Sequence, residues 1–276
     1  MRIWHQSFTV LQDLPAYVAG LKERIGKVVR PGTEVVLHGQ IPGTYNTNYP
    51  GTDLAYGAIY WMHGLQWIVA AREAEQQGFD AMVLASIAGP MATEIRTIVD
   101  IPVVGYGEAA FNLAGLYGNR AGMLFFIKER LDFWPKQVAA WGMADRFAGI
   151  EHAGVSFQDV LTGYTDASKR DGIINRIIEN GEKLVRETGA DVIIPGEMPL
   201  NLLLSTAGVT QIAGATVIDG ITTTFKFAEM LVDLKQLSGM KPSNHGWYHA
   251  SPDRNRFEQV LDFYGVKELG KRIPSA

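Results

Sequence analysis

Short apolar, β-branched runs alternate along this chain with longer stretches in which apolar positions recur every three or four residues, the mark of strands alternating with helices. The runs predict strands at 2–7, 34–38, 81–85, 102–105, 121–127, 146–152, 191–194 and 216–218. Val192, Ile193 and Ile194 are apolar at consecutive positions, as a strand covered on both faces by helices requires. The longer period predicts helices over 14–29, 57–77, 92–99, 108–117, 130–141, 173–187 and 222–237, with a last amphipathic piece at 254–263 after a polar tail. Such alternation implies an α/β fold with mainly parallel sheets.

The pattern is used twice. Gly78-Phe79-Asp80 opens an apolar run that ends at Ser86, and Gly189-Ala190-Asp191 opens another that ends at Glu197. The same interval separates Asp80 from Asp191 and Ser86 from Glu197. Further on, Pro102-Val103-Val104-Gly105-Tyr106-Gly107 is echoed by Ala215-Thr216-Val217-Ile218-Asp219-Gly220, each followed by a helix rich in small residues. Two pseudo-symmetric Rossmann-like lobes follow, with the active site in the cleft between them. The first lobe is expected to hold residues 1–117 and 221–240, the second 118–220, and 241–276 to form a C-terminal tail and helix. Ser86 and Glu197 then lie at the carboxyl ends of equivalent strands, where open α/β sheets bind ligands.

Composition narrows the function. Hydrophobic residues make up 47% and charged residues 20% of the 276-residue chain, proportions that suit a globular enzyme. A net charge of −4 without a basic stripe excludes nucleic acid as a partner, and no apolar run is long enough to predict a membrane span. The opening Met1-Arg2-Ile3-Trp4-His5 has no signal-peptide pattern, so a cytoplasmic location is expected. There is no cysteine, which removes disulfides, thiolate metal sites and thiol nucleophiles from consideration.

Several strings, in their order and spacing, resemble the aspartate/glutamate racemase superfamily, and its hydantoin-racemase branch most. They run over about residues 49–248: the segment from Gly78 to Pro90, Ile101-Pro102-Val103-Val104-Gly105-Tyr106-Gly107-Glu108, the Trp141–Arg146 string, the segment from Gly189 to Glu197, and His245-Gly246-Trp247-Tyr248. The resemblance implies cofactor-free chemistry at a carbon next to a carboxylate or carbonyl, performed by two facing cysteines. Here Ser86 and Glu197 stand at those two places. A hydroxyl is too weak an acid to exchange protons near neutral pH, whereas a carboxylate desolvated in a cleft is suited to it. The pair is therefore one-sided, with Glu197 as acid/base and Ser86 as orienting or enolate-stabilising donor.

Substrate is expected to be a small polar carboxylate or cyclic amide. Its binding residues are expected to be His5 and Gln6 at the end of the first strand, and His38, Tyr45 and Tyr49 from a donor-rich loop able to close over a ring. Ile87 and Met198 adjoin the catalytic pair, and Tyr248 and His249 come from the tail. Main-chain N–H groups at 86–89 and 197–199 would hold a carboxylate, although Pro199 has none to give. Neither cofactor nor metal is expected; a metal, if bound, would use His5, His249 and Glu197. The alternatives are a hydrolase in which Glu197 activates water and a non-catalytic ligand-binding relative. A homo-oligomer is expected.

Overall fold

The computed structural model describes every residue except Trp247, so one position of the His245–Tyr248 string lies outside the described residues. The first sheet comprises β1 (Arg2–Gln6), β2 (Glu34–His38), β3 (Ala81–Leu84) and β4 (Val103–Gly105) in the order β2-β1-β3-β4, all parallel. The second comprises β5 (Ala121–Phe125), β6 (Phe147–His152), β7 (Val192–Pro195), β8 (Gln211–Ile212) and β9 (Ala215–Val217), ordered β6-β5-β7-β9-β8. Its one antiparallel pair is the short β8–β9 hairpin. The mainly parallel two-sheet α/β architecture read from the alternation is thus the one observed.

Helices cover both faces. In the first sheet, Ile3 and Val83 pack with α1 (Pro15–Val28) and α10 (Gly220–Ser238), while Trp4, Met82 and Leu84 pack on the other face with α3 (Gly57–Gln76) and α4 (Ala92–Ile98). The α10 helix belongs to the last βα unit in sequence yet packs on β3, β4 and α5 (Tyr106–Tyr117), so the chain returns to the first sheet. The tail returns as well. After α11 (Arg254–Phe263), the Ala276 N–H donates to the Leu37 carbonyl (2.8 Å), which covers the β2 edge.

Several helices depart from the periodicity. The helix expected over 130–141 is a 3-10 turn (Lys128–Phe133) followed by α6 (Trp134–Ala140), because Pro135 lacks an N–H and suits a helix start. The α7 helix (Phe157–Thr165) was not expected, although Ser156 and Asp159 form a capping box before it. The α8 helix (Ala167–Thr188) begins six residues before the predicted start, since its first turns are solvated and carry no apolar period. The α9 helix (Met198–Thr206) is buried nearly all round, so periodicity did not mark it, and α2 (Gly51–Leu54) is a single turn.

Candidate active site

The positions of Ser86 and Glu197 are set by two strand ends. After β3, the Ala85 N–H still donates to the Gln6 carbonyl (2.8 Å), and the chain then turns at Ser86, whose carbonyl accepts from Gly89 N–H (3.0 Å). Gly89 has φ +54°, a left-handed conformation that suits glycine, so the turn is tight. After β7, the Gly196 N–H donates to the Leu124 carbonyl (2.6 Å). A Cβ on Gly196 would meet that oxygen at 2.6 Å, so glycine is what allows the chain to pass this close before Glu197.

Glu197 opens α9 but does not cap it; its carboxylate lines the cavity beside the end of the other sheet, where the Ile87 N–H favours its ionised form. Ser86, Glu197 and Tyr49 all line one cavity between the sheets, together with Ser7, Thr9 and Tyr17. Phe126, Ile127 and Phe157 form its apolar wall. The free volume is about 30 Å³, room for a water or so and far less than a ligand needs. Burial pushes the Glu197 carboxyl up to about 8, opposed by the Arg130 guanidinium and the Ile87 N–H. A carboxyl held there is protonated at neutral pH and ionises just above it, as a proton-transfer group requires. Burial and the Glu197 charge push the Tyr17 phenol far up, so it remains a donor.

The other expected contacts fall elsewhere. His5 is fully buried inside the first sheet, parallel to Phe225 with ring centroids 6.4 Å apart, and neither ring nitrogen has a hydrogen-bond partner. Gln6 accepts from Trp4 Nε1–H (3.0 Å) and donates to the Gly39 carbonyl (3.1 Å). His38 stacks on Trp4 at 3.4 Å. These three are corrected from cleft to sheet interior: alternation points β-strand side chains at the faces, and the cleft begins where the strand stops, at Ser7. Tyr45 donates to the Phe8 carbonyl (2.6 Å), fastening the 39–56 loop rather than facing the cavity. The side chains of Ile87 and Met198 are fully buried beside the pair without lining the cavity. Tyr248 and His249 are exposed on the tail, where the Tyr248 hydroxyl donates to Glu94 (2.7 Å). No three His, Asp or Glu side chains gather as a metal-ligand set among the described residues, and His5, His249 and Glu197 lie apart.

Ser7, Thr9, Tyr17 and Arg130 were not anticipated. Extending the strand-end rule from β3 and β7 to β1 would have found Ser7 and Thr9, whose hydroxyls bond each other (2.8 Å). Tyr17 lies on α1 and Arg130 on a 3-10 turn, and no local signal marks either.

Two mainly parallel α/β sheets meeting at a cavity lined by Ser86 and Glu197 form the two-lobed architecture of racemase-type proteins. The chain belongs to the Asp/Glu/Hydantoin racemase family, whose sequence model matches residues 16–228. It is 26% identical to the hydantoin racemase of Pseudomonas sp. (strain NS671) over 202 residues, covering 70% of this chain and 73% of that one. Among solved structures it resembles allantoin racemase from Klebsiella pneumoniae, with TM-score 0.72, 23% identity and coverage of 92% and 94%. Allantoin racemase from Pseudomonas fluorescens gives TM-score 0.69 at 22% identity, covering 91% and 97%. Among the described residues no helix is long and apolar enough to cross a membrane.

Proposed function

We propose that the enzyme moves a proton at the carbon beside a carbonyl in a small cyclic amide such as a 5-substituted hydantoin, with Glu197 as the single acid/base. The observation that carries this is that Glu197 and Ser86, from equivalent strand ends of the two sheets, line one cavity. The ionised carboxylate takes the ring C–H proton, and the bonding pair moves onto the adjacent carbonyl as an enolate. The Ser86 hydroxyl donates to the developing oxyanion, a contact stronger in the transition state than before it. Glu197, now protonated, exchanges its proton with solvent while the planar enolate persists and then delivers a proton to carbon, which regenerates the carboxylate. Neither a redox change nor a thiol enters this cycle. The names of the relatives, hydantoin and allantoin racemases, support the substrate class.

Solvent exchange tests it. In D2O the wild type should place deuterium at C5 of a 5-alkylhydantoin or of allantoin, read by proton NMR. Glu197→Gln should slow this by about 100-fold or more, the scale of general acid–base catalysis. Unchanged exchange in Glu197→Gln, or ring opening without exchange at carbon, would overturn the reading.

A further inference from the structure

Just outside the cavity lined by Ser86 and Glu197 lies a second pocket, of about 470 Å³ and open to solvent. Tyr49, Phe126 and Phe157 line both spaces, so these three aromatic side chains form the partition between them. Phe157 is the middle ring, with centroid separations of 5.4 Å from Tyr49 and 5.9 Å from Phe126. The larger groove beside α4 and α5, of about 770 Å³, shares no lining residue with the cavity. The outer pocket is thus the space that adjoins the acid.

Two of the three rings are fixed from behind. Phe126 and Phe157 are both buried. The His152 Nδ1 accepts from the Gly154 N–H (3.1 Å), so Nε2 carries the proton and donates to the Phe126 carbonyl (3.3 Å). That bond ties the end of β5 to the loop before α7, whose capping box holds Phe157 at the helix start. Tyr49, by contrast, is half-buried on a loop in which Asn46, Thr47 and Asn48 are exposed. The outer pocket is walled by Tyr49, Phe126, Val155 and Phe157. Its two charged residues, Lys128 and Glu129, are adjacent, exposed and opposite in sign, so its rim offers an ionic group no net attraction. Such walls favour apolar surface and penalise a charge that must shed its water.

We propose that this outer pocket receives the substituent on the substrate's reacting carbon, that Tyr49 turns aside to join it to the cavity, and that Val155 and Phe157 select a bulky uncharged substituent, aryl or branched alkyl. This rests on the Glu197 reading, which puts the reacting carbon on the inner side of the partition. The cavity alone, about 30 Å³, holds no ring; joined to the outer pocket, it falls within the range of about 300–1,000 Å³ typical of small-molecule sites. The amide ring then lies at Ser86 and Glu197 and its substituent crosses the partition. Val155, which lines the outer pocket alone, meets the substituent beyond it.

Three probes test this, 5-benzylhydantoin, 5-methylhydantoin and 5-(carboxymethyl)hydantoin, with dissociation constants from calorimetry and C5 deuterium exchange followed in parallel. The wild type should bind the benzyl compound about tenfold or more tightly than either of the others. Val155→Phe, which fills the pocket, should bring the benzyl-to-methyl affinity ratio close to one. Because the chain has no cysteine, Gln158→Cys at the exposed rim takes a single benzyl methanethiosulfonate label. The label should lower the same ratio until a reductant removes it, and this measurement serves if Val155→Phe fails to fold. Equal binding of the benzyl and methyl compounds by the wild type, binding of neither, a carboxymethyl compound bound as tightly as the benzyl one, or a ratio that the label does not move overturns the proposal. A benzyl preference that the label abolishes, without exchange at C5, would leave this assignment standing and remove the acid/base role of Glu197. Exchange of both the benzyl and methyl compounds that is lost in Glu197→Gln, with no difference in their binding, would do the reverse.

Discussion

Tyr49, on the loop that follows β2, stacks on Phe157 of α7 with ring centroids 5.4 Å apart and planes 30° from parallel, so a segment of the first sheet's side is fastened to the second across the cavity. The loop is pinned at its base, where Ile41 N–H donates to Gln66 (2.9 Å) and His63 bonds Asp53 (3.0 Å). Its tip is held by Tyr49, and a cavity of about 30 Å³ admits no hydantoin while that stack persists. An offset stack of this kind is worth about 0.5–1.5 kcal/mol. Tyr49→Ala should therefore raise the association rate of a small hydantoin several-fold in stopped-flow tryptophan fluorescence. An association rate equal to the wild type's would mean that the ligand enters by another route.

The proposed acid/base role of Glu197 predicts a pH dependence with a definite direction. Proton abstraction needs the carboxylate, and the group titrates at about 8, so the exchange rate should rise with pH up to that value and level off above it. A profile already flat from pH 5.5 to 9 would place the base elsewhere.

The same group should cost stability. Its folded pKa lies above the ordinary 4.5, so between about 4.5 and 8 the folded state binds more protons than the unfolded one. Stability then falls as pH rises through that window. Glu197→Gln removes the term, so its melting temperature should exceed the wild type's by more at pH 8.5 than at pH 5. A gap independent of pH would show that the acid is not desolvated.

His5 acts with the opposite sign. Burial, with the nearby His38 adding to it, lowers the imidazole from 6.5 to about 3, and burial lowers His38 to about 4. The unfolded chain binds more protons between these values and 6.5, so stability is complete above about 6.5 and is lost as pH falls. From pH 7 to 4.5 the loss from His5 alone is on the order of 2–3 kcal/mol. Urea denaturation at the two pH values should show it, and His5→Leu should flatten that limb; an equal acid loss in His5→Leu would discount the buried imidazole.

Gly196→Ala sets a new methyl against the Leu124 carbonyl, a main-chain atom that cannot turn aside. The strain should cost about 1–3 kcal/mol and displace Glu197, so deuterium exchange should fall further than the melting temperature alone explains. Full exchange in this variant would mean that the close passage after β7 does not position the acid.

The apolar runs by themselves determined the α/β class and nearly every strand, because burial on both sheet faces demands such runs wherever a parallel sheet forms. The internal repeat did the same for Ser86 and Glu197, which line one cavity because equivalent strands end on equivalent sides. Tertiary structure decided the rest. His5, Gln6 and His38 read as cleft residues until the pleat turned them into the sheet, and Arg130 read as a helix residue until Pro135 moved the helix onward. Tyr17 reached the cavity from a helix far from either strand end in sequence. Local pattern reports which face of an element is buried. What that face meets depends on contacts between residues distant along the chain, and these exist only once both sheets have folded.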